Sequence, residues 1–217
     1  MGFDIWTRTD NWQRLMMAVL VGALWVALGD IIWAGHLAQT VPLIHNSGFE
    51  EEDFMHWQAL GAPVLDDEIR HAGSWAVRMG ERERAEDCVT QLVAIPAETT
   101  GMRLEFWLKL ETSEVNPGYD RFYVGLWNTA TADPPYLLHE WDLARTGALD
   151  WSGQTLTLPE SQVHAARGQT VSLELCVQMS APRPSRAWID DVQLLATLEG
   201  APPAMIYLPF INGPEVR

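Results

Sequence analysis

Few residues in this 217-residue chain have the types and spacing that chemistry requires. The adjacent carboxylate pairs Asp66-Asp67 and Asp190-Asp191 could serve acid/base work, but neighbours on an extended strand point to opposite faces. His139, beside Glu140, and His164 stand apart from other metal-ligating residues, and no CxxC, HExxH, GxSxG, GxGxxG or phosphate loop occurs. This absence of a catalytic constellation points away from an enzyme. Cys88 and Cys176 form a disulfide if the domain is exported, whereas in the cytosol they would be buried thiols. The remaining chemistry is aromatic. Trp107, Tyr123 and Trp127 alternate away from the apolar residues of two successive strand patterns. On neighbouring strands they would form a platform that stacks on sugar rings or anchors a protein interface. If loops cover that face, they are packing residues.

The elements that must position these residues read as strands. Leu104, Phe106, Leu108 and Leu110 alternate with Glu105, Trp107, Lys109 and Glu111; Phe122, Val124 and Leu126 alternate with Tyr123, Gly125 and Trp127. Val171 to Met179 repeats the pattern, and further candidates are 75–79, 89–95, 137–143, 154–158 and 187–195. A period of two over eight short segments, with no amphipathic helix, predicts an all-β fold, an antiparallel jelly-roll sandwich. By the same alternation Cys88 and Cys176 lie on the non-core side of their strands, and a bridge between them requires that those strands be neighbours.

The N-terminal segment has another character. Residues 15–35 carry no basic side chain, and as a helix they would span about 31 Å at about 1.5 Å per residue, the thickness of a bilayer core. Arg8 and Arg14 precede the segment, and no Lys or Arg follows until Arg70. The charge asymmetry predicts a signal-anchor with residues 1–14 in the cytoplasm and the main domain outside, periplasmic or extracellular. No small-x-small cleavage site follows it. Gly22, Gly29 and Asp30 are its candidate contacts with other membrane helices, through close approach at glycine and the cost of a carboxylate in lipid. The organisation expected is therefore 1–14 cytoplasmic, 15–35 anchor, 36–45 linker, 46–197 sandwich and 198–217 a proline-rich tail with an apolar patch from Ile206 to Ile211.

Several pieces, in order, resemble the galactose-binding-like jelly rolls that include carbohydrate-binding modules. They are Asn46-Ser47-Gly48-Phe49-Glu50 with Trp57 after it, Gly73-Ser74-Trp75-Ala76-Val77, 91–97, 104–107 and Ile189-Asp190-Asp191-Val192. Together they cover residues 46–196. The resemblance implies a structural Ca²⁺ held by Glu50 and Asp190, with backbone carbonyls near Ser74 completing an oxygen shell. Gly48 and Gly73 are expected to take left-handed backbone at strand starts.

Charge and composition narrow the partners. Fourteen basic residues against 29 acidic ones give a net charge of −15, which repels nucleic acid. The function expected is that of a non-catalytic, membrane-anchored accessory subunit working through contacts with membrane protein subunits, as in a respiratory or photosynthetic complex. The alternative is a surface-displayed module that binds carbohydrate.

Overall fold

A computed structural model describes residues 38–129, 136–180 and 185–200, of which Ala38–Glu199 form one compact unit. The expected anchor, with Gly22, Gly29 and Asp30, and the Ile206–Ile211 patch lie outside the described residues. Among the described residues no helix is long and apolar enough to cross a membrane.

The unit is built from two antiparallel sheets. One joins β3 (Val64–Asp66), β4 (Ala76–Gly80), β11 (Arg186–Leu198), β6 (Thr99–Glu111) and β9 (Leu149–Thr157), in that order, with β1 (Gln39–Pro42) also paired to β11. The other runs β2 (Gln58–Leu60), β5 (Glu86–Ala94), β10 (Thr170–Gln178), β7 (Arg121–Asn128) and β8 (Tyr136–Asp142). Alternation places Leu104, Phe106, Leu108 and Leu110 against Phe122, Val124, Leu173 and Leu175 in one apolar core. Each of these is 3% exposed or less, and burying one such side chain contributes about 1.5–3 kcal/mol.

All eight strands expected from the periodicity form, and three short ones join them. The supposed linker supplies β1, whose residues 39–42 pair with 195–198. Two short helices also form: α1 (Leu143–Thr146), capped by the Asp142 side chain, and α2 (Glu160–Ala166). The second buries Val163 and Ala166, so the expectation of no amphipathic helix was wrong; its seven residues are too few to give a clear period.

Most successive strands change sheet. Only β3–β4 and β7–β8 pair with their neighbour in sequence. This separates β6 from β7 and brings together strands distant in the chain, such as β5 and β10. Cys88 and Cys176 are direct partners on those two strands and form a disulfide. Both sit on the outward side of their strands and are nevertheless buried.

The bridge spans a sequence separation of 88 residues. We expect no free thiol in the unfolded, unreduced chain. Replacing both cysteines by alanine should lower the unfolding free energy by about 2–4 kcal/mol in urea titration. A double variant as stable as the wild type would show that the sheet alone carries the stability.

Candidate functional site

The residues singled out by sequence gather at two places, one on the outward side of each sheet. The six-stranded sheet carries the first. Asp190 of β11 is fully buried, and three backbone N–H groups meet its carboxylate: those of His71 and Ala72 donate to Oδ2 at 3.0 Å each, and that of Asp191 to Oδ1 at 2.7 Å. Glu50 grips the same loop further on, accepting from Ser74 N–H at 2.9 Å and from Trp75 N–H at 3.2 Å. This closeness needs Gly73. Its φ is +57°, and a Cβ there would lie 2.1 Å from Glu50 Oε1. Gly48, by contrast, has no left-handed backbone; positive φ falls on Asn46 and Phe49 beside it.

Asp190 and Asp191 do not diverge as adjacent strand residues should. The register slips between Asp190 and Gln193, a β-bulge, and Asp191 takes φ +50°. The bulge turns its carboxylate back to meet His71 Nδ1 at 2.8 Å. His71, Asp190 and Asp191 thus offer ligand atoms within 4.8 Å of one another. Burial pushes the Asp190 carboxyl above its usual range and the charge of Asp191 adds to this, while the amides pull it down.

For an oxygen-ligated cation the fit rests on what the amides leave free. Each carboxylate has about four lone-pair directions, and the three N–H contacts on Asp190 and on Glu50 use three of them. Gly48 lies beside the two aspartates: a Cβ there would lie 3.5 Å from Asp191 Oδ1 and 3.9 Å from Asp190 Oδ1, and 3.6 Å from the Glu50 methylene Cγ. Glu50 and Asp190 thus hold neighbouring amides of one loop, while the ligand atoms within 4.8 Å of one another are those of Asp190, Asp191 and His71, a set that does not include Glu50.

Trp107 belongs to this place and not to an aromatic platform. It lies on β6 in the six-stranded sheet, whereas Tyr123 and Trp127 lie on β7 in the other. The expected three-residue platform fails because alternation gives the face of a strand but not its sheet. His71 stacks on the Trp107 indole with ring centroids 3.7 Å apart, so Trp107 packs under a loop. An open polar groove of about 550 Å³ runs beside it, over Glu105, Gly153, Thr155 and Gln193.

The second place is the outward side of the five-stranded sheet, where Tyr123 and Trp127 share one face of β7. Trp127 is 40% exposed. Its Nε1–H donates to Glu174 of β10, and the Tyr123 hydroxyl donates to Glu86 Oε1 of β5 at 2.6 Å. Since β10 lies between β7 and β5, the Tyr123 side chain crosses β10 at the level of the disulfide. Arg121, on the same face, pairs with Glu140. Burial raises the Glu174 carboxyl and the charge of Glu86 adds, while the bond from Trp127 opposes the shift. Sequence reasoning missed His71, Asp191, Glu86 and Glu174. The two glutamates share the faces of Cys88 and Cys176 at a spacing of two, the one signal that could have found them.

No protein-family model matches the chain, and no curated protein is similar enough to match. Among solved structures it is similar to TmCBM61, determined in complex with β-1,4-galactotriose, at 19% identity and TM-score 0.53 over 71% of this chain and 97% of that one. It is also similar to a Stig cyclase, Fisc from Fischerella sp. TAU, at 13% identity and TM-score 0.50 over 75% of this chain and 100% of that one. A third likeness is to the CBM22-1 xylan-binding domain of Paenibacillus barcinonensis Xyn10C, at 14% identity and TM-score 0.48 over 77% and 100% of the two chains. The fold is thus an all-β antiparallel sandwich, like that of TmCBM61. The same fold is found in a structure with bound galactotriose and in a cyclase, so activity must be argued from the site.

The Tyr123 hydroxyl should titrate late. Burial raises it well above the ordinary tyrosine range, the hydrogen bond to Glu86 and the charges of Glu86 and Glu174 add to this, and Arg121 opposes it. With the folded value raised, the stability contributed by the neutral phenol is fully present below about pH 10 and is lost as pH climbs through the shifted value. Absorbance titration should show one of the four tyrosines ionising last, and Tyr123→Phe should remove that component. A variant with an unchanged curve would contradict the assignment.

Proposed function

We propose that this chain is a non-catalytic carbohydrate-binding module, tethered outside a membrane by its N-terminal segment. The observation that carries the reading is the outward pair Tyr123 and Trp127, held by carboxylates of β5 and β10. A pyranose ring has an apolar C–H face that packs on an indole, and its rim of hydroxyls needs acceptors. Trp127 supplies exposed ring surface, and Glu174 and Glu86 supply the acceptors. The hydrogen bonds fix the aromatic rings beforehand, so little side-chain entropy is lost on binding. The fold likeness to TmCBM61 supports the reading.

The competing role, an accessory subunit within a membrane complex, rests on residues 15–35, and no described residue favours it. The sandwich offers the glycan reading an aromatic face with polar acceptors, which is why we prefer it. In this reading a structural Ca²⁺ is part of the module. Glu50, Asp190 and Asp191 would hold it, and its chemistry there is neutralisation of converging carboxylates.

Two outcomes follow for the full-length chain in mild detergent. Affinity electrophoresis in gels cast with β-linked galactan, xylan or glucan should show retardation by at least one polymer. Trp127→Ala should weaken it at least about tenfold, roughly 1.4 kcal/mol. Retardation by none of them would remove the reading. Separately, millimolar calcium should raise the thermal midpoint and EDTA should lower it, with Glu50→Gln erasing the difference. A wild-type midpoint indifferent to both treatments would dismiss the ion.

A further inference from the structure

The Tyr123–Trp127 face has a floor as well as aromatic rings. One cross-strand row on the outward side of the five-stranded sheet runs Leu60, Cys88, Cys176, Tyr123 over β2, β5, β10 and β7. The disulfide fills the middle of that row. The Tyr123 hydroxyl ends on Glu86, two residues before Cys88 on β5, so its ring reaches there only by crossing β10 beside the bridge. Burial agrees with this path. Cys88 is 4% exposed and Cys176 has no exposed surface, although both point out of the sandwich, and Leu60 on the far side is 59% exposed and does not cover them. The cover comes from the Tyr123 side, where a ring over polarisable sulfur is a favourable contact.

β5 and β10 are paired along their whole length, so the bridge is not needed to set their register. Its outward position gives it a second effect. Two unbonded thiols take more room than a closed bridge, and two alanines take less. In close-packed surroundings either change moves the support of the ring, and with it the hydroxyl that meets Glu86 at 2.6 Å.

We propose that the Cys88–Cys176 bridge is a positioning element of the ligand face: the Tyr123 ring lies on it, and glycan is bound tightly only while the bridge is closed. The inference rests on the glycan reading above. It makes binding sensitive to a dithiol reductant, which takes the bridge to two thiols with two electrons and two protons while the reagent closes to a cyclic disulfide.

Two measurements test the placement without any glycan. In Tyr123→Ala, dithiothreitol should reduce the bridge under native conditions at least about tenfold faster than in the wild type, because access governs thiol exchange. In Cys88→Ala/Cys176→Ala the late-ionising tyrosine should move back towards the other three in absorbance titration. Wild type held reduced should show the same shift, and it serves where the double variant does not fold. The third measurement is affinity electrophoresis of the full-length chain in mild detergent, in gels cast with β-linked galactan, xylan or glucan. Opening the bridge by reduction should weaken retardation about tenfold. An unchanged rate of reduction in Tyr123→Ala, or a late tyrosine unmoved by opening the bridge, would overturn the proposal, since the ring would then not lie there. A moved tyrosine with unchanged retardation overturns the effect on binding and leaves the module reading standing. Retardation of the wild type by none of the polymers removes the module reading and the effect on binding together.

Discussion

A buried carboxylate needs partners, and the loop from His71 to Trp75 needs acceptors for amides that no strand satisfies. The two requirements are met together. Asp190, with no exposed surface, and Glu50 take the N–H groups of residues 71, 72, 74 and 75, so the opening segment, the closing strand and the approach to β4 are tied through one loop. A hydrogen bond to a charged acceptor contributes about 1.5–3 kcal/mol, and an orphaned buried amide costs about 1–3 kcal/mol. Removing one carboxylate therefore releases several amides at once. The position of His71, and through it the packing of Trp107, depends on this arrangement.

Much of the fold was legible because one face of each strand is buried and the other is not. Val171, Leu173, Leu175 and Val177 announce β10 as clearly as Leu104 to Leu110 announce β6. What alternation cannot carry is the sheet to which a strand belongs. Trp107 and Tyr123 share a pattern, yet they sit on different sheets. The bulge at Asp191 was equally hidden, since one extra residue in a 13-residue strand leaves the apolar pattern on either side intact. Glu86 and Glu174 were passed over because charge on an outward strand position is ordinarily solvated; only the aromatic donors that reach them give them a role. Cys88 and Cys176 were read on the non-core side, and their register partnership confirmed it.

The two outward faces differ in how their polar groups are used. On the six-stranded sheet the carboxylates of Asp190 and Asp191 turn inward to a loop and a histidine. On the five-stranded sheet Glu86 and Glu174 each accept from an aromatic side chain, and one oxygen of each takes no hydrogen bond among the described residues. The first arrangement serves the integrity of the sandwich. The second leaves acceptors for a ligand.

The sheet order also bears on how the chain is made. β11 is hydrogen-bonded to β1, β4 and β6, and is the last strand among the described residues. During synthesis β4 and β6 have no shared partner until residues 186–198 leave the ribosome. With so few local hairpins, loop-closure entropy is lost before the long-range contacts repay it, which makes folding slow. A nascent chain stalled before Arg186 would expose both flanks of the missing strand, β4 and β6, as unpaired edges open to association with other chains.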